Sequence, residues 1–313
     1  MKYLFTHLMG SFIFNEQLKR VDFIPFTQLE DYQHKNQAEE KLRRKHPEAQ
    51  PLPQDKWMPV MQTFQDRTYF QEFYTKNCEL TKQGIKNSVS DDNLITQTIA
   101  NINELDKVSN LLTKRLREWY SLYLPELSKE RSSHEQFVRS VAEKSKPELL
   151  KELHLMTTES MGAPLSKNDV EEMQELALLI TKLYQVRQQH EVYLEKIMVR
   201  HCPNVLELAG VTLGAKLMEL GKSLKHLAML PASTIQLLGA EKALFRHIKT
   251  GAKSPKYGIL FQHPFIQNAR PALRGKAARM LADKLSLCAR LDYFKGEFKA
   301  KEYKKELEEK INR

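Results

Sequence analysis

Cysteine is nearly missing from this chain: three in 313 residues, Cys78, Cys202 and Cys288, far apart and with no CxxC pair. An odd number at such spacings excludes a disulfide framework and predicts reduced thiols. His201, Cys202, His226, His247, His263 and Cys288 do not show the close ligand spacing of a zinc site. Glycine (11) and proline (13) are too few for a collagenous or low-complexity chain, and 41% hydrophobic content supports packed cores. No stretch reaches the ~18–20 apolar residues of a membrane span. The start, MKYLFTHLMGSFIFNEQ, lacks the charged head, apolar run and small-residue cleavage site of a signal peptide, so the expected compartment is the cytoplasm, with no membrane partner.

Phosphate and cofactor loops are also missing. Gly221-Lys222-Ser223 has the ending of a phosphate-binding loop, but the glycine needed five residues earlier is replaced by Lys216. No glycine-rich strand-to-helix loop is present to bind a dinucleotide or S-adenosylmethionine, which argues against a methyltransferase acting alone. No catalytic residues and no cofactor are assigned to this chain.

Acid is scarce in one stretch. Residues 201–290 hold 14 Lys/Arg against 4 Asp/Glu, an excess equal to the whole net charge of +10. Elsewhere the charges balance, 28 basic to 29 acidic over 1–200 and 7 to 6 over 291–313. A basic excess confined to one segment calls for a polyanion there, with nucleic acid favoured over a membrane surface.

The periodicities predict a mainly α protein with a small N-terminal α/β domain. YLFTHLMGSFIF, a turn at Asn15-Glu16 and RVDFIPF read as a hairpin, the one place where strands are expected. Residues 34–66, with four prolines, read as irregular around a charged helix, AEEKLRRKH; a helix from about Arg67 to Asn87 closes the domain at residue 88. From Ser90, Ile95, Ile99, Ile102, Leu105, Val108, Leu112, Leu116, Trp119 and Tyr123 recur at spacings of three and four. They predict one helix as far as Pro125, about 33 residues or ~50 Å long. A capping box at Ser166 and Asp169 opens a second long helix through Ile180 and Leu183 to Pro203, with a short amphipathic helix over 131–155 between the two. The pair, 89–202, reads as an antiparallel coiled-coil hairpin with an apolar stripe in want of a partner, a second copy of the chain; Ile99, Ile102, Leu112, Ile180 and Leu183 are the candidate dimerisation residues. Residues 203–295 read as a compact helical bundle and 296–313 as a solvated charged helix.

Within the bundle, Gly239 reads as the residue just before a helix that opens with Ala240, Glu241 and Lys242, so free N–H groups stand beside a lysine, a phosphate-binding arrangement. Arg246 and Lys249 follow on the same face, the next loop adds Lys253 and Lys256, and Arg270, Arg274, Lys276 and Arg279 supply a second basic row. With Lys216 and Gln236, these are the candidate RNA-binding residues.

LPASTIQLLGAEKALFRHIKTGAKSPKYGILFQHPFI (230–266) and RGKAARMLADKLSLCARLD (274–292) resemble the signature of the Nop-domain family, the core proteins of box C/D ribonucleoproteins and a related spliceosomal protein. RLREWYSLYLPEL (115–127) and SMGAPLSKNDVEEM (160–173) resemble its coiled-coil signature and the turn between its long helices. The resemblance covers about residues 90–295 and is closest to archaeal members, since the eukaryotic ones carry long lysine-rich tails. It implies a non-catalytic scaffold whose C-terminal domain binds guide RNA jointly with a kink-turn protein, whose coiled coil forms a homodimer, and whose N-terminal domain binds fibrillarin. Fibrillarin would carry S-adenosylmethionine for 2′-O-methylation of RNA. The rival readings are a spliceosomal-type protein without fibrillarin and a stand-alone methyltransferase.

Overall fold

The computed structural model describes residues 1–65 and 67–311. It divides into two units, Met1–Val89 and Ser90–Arg313.

In the first unit, β1 (Lys2–His7) and β2 (Gly10–Phe14) form a tight hairpin, and β3 (Arg20–Pro25) continues antiparallel on β2. The first aromatic run is therefore two strands, folded back at Gly10, whose φ of +156° brings it against the carbonyl of Ile24. After α1 (Leu29–Gln33) and α2 (Lys35–Lys45) comes β4 (Ala49–Pro51), parallel to β1, giving the order β3-β2-β1-β4. Three residues between prolines carry no alternation that would mark a strand, so strands extend beyond the predicted hairpin. α3 (Trp57–Thr63) and α4 (Arg67–Ser88) follow. Alternation sends Phe12, Phe14 and Tyr3 to one sheet face, with Val60 and Phe64, and Leu4 and Ile13 to the other, with Leu42.

The second unit starts with α5 (Asp91–Tyr120), 30 residues capped by a Ser90/Asn93 box. It stops four residues before Pro125, which opens α6 (Pro125–Glu130) at a first-turn position where the missing N–H costs nothing. The expected single short helix is two, α7 (His134–Glu143) and α8 (Lys146–Glu152). α9 (Lys167–His201) begins on the Ser166/Asp169 box and runs 35 residues back along α5. At the turn before it, Gly162 lies so close to Tyr123 that a Cβ would stand 1.9 Å from its carbonyl oxygen, while the Ala163 N–H donates to Leu122 O at 2.8 Å.

From Pro203 on come the bundle helices: α10 (Pro203–Ala209), α11 (Val211–Gly221), α12 (Leu224–Met229), α13 (Ala232–Leu237), α14 (Glu241–Thr250), α15 (Pro264–Gln267), α16 (Arg274–Tyr293) and α17 (Ala300–Ile311). One core runs from Ile95, Ile99, Ile102 and Leu194 at the hairpin's base through Leu217, Leu227 and Leu281 to Ala300 and Leu307. The predicted boundary at 202/203 is thus crossed by a continuous apolar core. The C-terminal helix is not the solvated tail expected of it: Ala300 is fully buried and Leu307 nearly so, and Asn204 Oδ1 accepts the N–H groups of Lys299 and Ala300. Charge alternation along α17 describes only its outer faces. No helix among the described residues is long and apolar enough to cross a membrane.

Candidate nucleic-acid interface

α14 stands out from the bundle: none of its residues is buried. It is created at its N-terminus by Gly239, held at φ +82° where an added Cβ would meet Ile259 Cγ2 at 2.3 Å. Ala240, the N-cap, has no side-chain acceptor, so the first-turn amides lack the usual cap. Glu241 turns its carboxylate back, Oε1 accepting the Gly239 N–H at 2.7 Å. That amide is therefore not free, and Glu241 shapes the turn. At the other end Gly251 closes the helix at φ +69°, its N–H donating to His247 O.

Lys242, Arg246 and Lys249 are exposed along α14, and among the described residues none forms an ion pair. Lys253, Lys256, Arg270, Lys276 and Arg279 are likewise exposed and without a carboxylate partner among the described residues. Unneutralised cations on a surface concentrate counter-ions and attract phosphate. The remaining candidates shape this surface. Gln236 Nε2 donates to Lys256 O while Gln236 O accepts the Gly258 N–H at 2.9 Å, so one residue holds the end of the basic loop on either side of Tyr257. Arg274 is half-buried, donating to Ala269 O at 3.2 Å and Gln267 O at 3.3 Å, and Lys216 donates to Gln262 Oε1 at 3.2 Å.

Two features were not singled out in the sequence. Phe245 and Ile248 on α14 are 66% and 73% exposed, next to the basic row, although an apolar pair at i, i+3 ordinarily reads as core. Tyr257 and Phe261 stack with ring centroids 4.9 Å apart and planes 11° from parallel.

The hairpin residues need correction. Ile99 and Ile180 are fully buried and Ile102 is 1% exposed, all within this one chain, because α5 and α9 pack their stripes on each other and on the bundle or on α7. They are core residues and offer nothing to a second copy. Leu112 and Leu183 are half-buried. Among the described residues, the large apolar side chains left exposed on these helices are Leu94, Val108, Leu111 and Trp119 on α5 and Leu178, Leu179, Val192, Tyr193 and Val199 on α9.

A cavity of about 470 Å³ lies between α10, α15 and α17, but its His263 has both ring nitrogens engaged, with Leu208 O and the Phe265 N–H, and burial pushes its pKa down. Burial likewise pushes the Cys288 thiol up to about 12, far from a thiolate at neutral pH.

The segment carrying this surface matches known proteins. It is 42% identical over 248 residues to an uncharacterized NOP5 family protein of Methanocaldococcus jannaschii, covering 74% of this chain and 60% of that protein. It is 38% identical over 222 residues to nucleolar protein 56 of Schizosaccharomyces pombe, covering 65% of this chain and 45% of the relative. The chain thus spans about half the length of these curated relatives. A solved structure described as a fibrillarin/Nop5p complex is similar at TM-score 0.46 and 23% identity, covering 99% of both chains. Residues 101–313, two thirds of the chain, match the model of the Nop family, described as the snoRNA binding domain, fibrillarin; the chain belongs to the Nop family.

Proposed function

We propose that this chain is the non-catalytic RNA-binding scaffold of a box C/D guide ribonucleoprotein. The observation that carries the reading is α14 and its loop: an uncapped helix start followed by Lys242, Arg246, Lys249, Lys253 and Lys256, all exposed and unpaired with carboxylates among the described residues. Such a row suits the phosphates of a folded RNA, contacts that position a partner without reading its sequence. Phe245 and Ile248 expose apolar surface beside the row, which suits a protein already bound to that RNA, and a kink-turn-binding protein is the partner proposed. The N-terminal unit is assigned to fibrillarin, and the exposed leucines and valines of α5 and α9 to a second copy of the chain. The methyl donor, S-adenosylmethionine, and the transfer to a ribose 2′-OH belong to fibrillarin; this chain positions the catalyst over the guide–target duplex. An archaeal cell's cytoplasm is the compartment proposed.

The test is reconstitution of the chain with a kink-turn protein, guide RNA and fibrillarin, omitting each in turn and assaying 2′-O-methylation. Activity should need all four. Methylation that persists without this chain overturns the scaffold role, and methylation by this chain without fibrillarin overturns its being non-catalytic.

A further inference from the structure

The N-terminal sheet is left open along part of one edge. β4 is three residues long and pairs only with Lys2–Leu4 of β1, and the last bond between the two is the Leu52 N–H to Leu4 O at 3.0 Å. Pro51 and Pro53 carry no N–H and stop the strand there. Main-chain groups alternate in direction along a strand, so the N–H and C=O of Thr6 point to the same side as those of Leu4, and among the described residues nothing bonds them on that side. Beside them lies a cavity of about 510 Å³ with a helix on either face of the sheet. α2, which packs through Leu42 on the Leu4 face, lines one wall with Lys35, Glu39 and Arg43; α3, which packs through Val60 on the Tyr3 face, lines the other with Trp57 and Met61. Lys35 and Arg43 are exposed and have no carboxylate partner among the described residues. Trp57 is 47% exposed, yet its indole N–H donates to Leu52 O at 2.9 Å and its ring meets Phe5 edge-on with 6.4 Å between centroids, so it is held in place.

An open N–H and C=O side by side on a strand call for another peptide backbone. Helices on both faces leave room there for one chain and shut out the edge of a folded sheet. The spacings of the two walls fit an extended chain. Lys35 and Arg43 stand eight residues apart on α2, about 12 Å along the helix, close to the ~13 Å between side chains four residues apart on a strand. Trp57 and Met61 stand four residues apart on α3, about 6 Å, close to the ~6.6 Å between side chains two residues apart on a strand. Strand side chains alternate, so acids facing α2 leave the residues between them facing α3. A phosphate backbone fits less well, because Glu39 stands between the two cations. We propose that an unfolded acidic segment of a partner protein docks in this slot as an extended chain, pairing with Thr6, with its carboxylates toward Lys35 and Arg43 and its intervening apolar side chains toward Trp57 and Met61. This is independent of the RNA-binding reading and distinct from the docking of a folded methyltransferase on the same unit.

The experiment uses the full chain and a fluorescein-labelled, end-capped peptide with the core Glu-Leu-Thr-Leu-Glu; the control peptide carries the same residues out of phase, Leu-Glu-Thr-Glu-Leu. Fluorescence anisotropy should show saturable binding of the first and at least about tenfold weaker binding of the second, whose acids and apolar side chains face the wrong walls. Lys35→Glu with Arg43→Glu should weaken binding of the first peptide at least about tenfold, and a peptide with Lys in place of both Glu should bind this variant better than it binds the parent. A misfolded variant cannot give that reversal. Methylating the core amide nitrogens one at a time should cost roughly 2- to 10-fold at one position or more, from a lost main-chain hydrogen bond. No saturable binding by the parent, equal binding of the two phases, no recovery on swapping the charges, or indifference to every N-methyl group would each overturn the slot. Fibrillarin added as a competitor tests the occupant: a peptide left in place supports a separate segment, whereas its displacement would make the slot part of fibrillarin's own docking surface and overturn the proposal.

Discussion

Asp292, near the end of α16, joins three elements through one buried carboxylate. Its oxygens accept the N–H groups of Asn204 and Val205 at 3.0 and 2.9 Å and the Asn204 side-chain amide at 2.8 Å, capping α10, while Asn204 in turn caps α17. Burial pushes its pKa up, and the three donated bonds oppose that without cancelling it. Asp292→Ala should cost roughly 2–4 kcal/mol, because buried amides lose a charged acceptor and no water replaces it; a shift in the denaturant midpoint measures this, and a change under 0.5 kcal/mol would show the network to be dispensable. Asp92, at the first turn of α5, behaves differently. Burial raises its pKa, but hydrogen bonds from His201 at 2.7 Å and from the Leu224 N–H at 3.1 Å outweigh burial and hold it below the ordinary 3.8. The folded state then binds this proton less tightly than the unfolded chain, so the stabilisation is complete above pH 3.8 and is lost as pH falls through the folded value. Asp92→Asn should lower stability at neutral pH and flatten the acid limb of a stability-versus-pH curve; an unchanged limb would assign acid sensitivity to other carboxylates.

At the scale of elements, α14 is where the functional reading is most exposed to test. If Lys242 and Arg246 meet phosphates, replacing both with Ala should flatten the log–log salt dependence of binding by roughly 1–2 units, at ~0.7–0.9 per contact, and weaken all guides alike. Lys304 and Lys305 make a demanding control, because they lie on α17, docked through Ala300 and Leu307, with Lys304 3.8 Å from Glu207. Their replacement should do much less; a tail mutant that loses affinity while the α14 mutant keeps its affinity and slope would relocate the interface. Glycines made the ends of α14 legible in advance, since Gly239 and Gly251 both take positive φ, which other residues adopt at a cost. The exposure of Phe245 and Ile248 was not legible: periodicity marks an apolar face but is silent on whether another element covers it.

For the whole molecule, the hairpin shows how burial redirects an experiment. An aspartate at Ile99 or Ile180 would place an unpaired charge in a core and unfold the chain, saying nothing of self-association. Leu111, 69% exposed, and Leu179, 53% exposed, are the informative positions. If the proposed homodimer forms, Leu111→Asp with Leu179→Asp should lower the mass in light scattering from dimer to monomer with the thermal midpoint nearly kept; an unchanged dimer mass would take these faces out of the interface, and a monomeric parent would overturn the dimer itself. Since Met1–Val89 forms a unit of its own, removing it should abolish methylation in the reconstituted particle and spare RNA binding, and loss of RNA binding would show that the chain has been divided wrongly between its partners.

Local chemistry settled much of this in advance. Helix periodicity, the Ser166/Asp169 box, turn glycines and the confinement of the charge excess to residues 201–290 are properties of short stretches of chain, and they sufficed for the two long helices, α14 and a basic surface. The extra strand β4, the anchoring of α17, the burial of Ile99 and Ile180 and the pairing of Tyr257 with Phe261 were decided by tertiary structure alone. In each of these a residue's role depends on a neighbour distant in sequence: β1 for three residues between prolines, Asn204 for a helix beginning 96 positions later, α9 for the stripe on α5. An amphipathic pattern says that a face must be covered; only the packed chain says whether its own helices cover it or leave it for a partner.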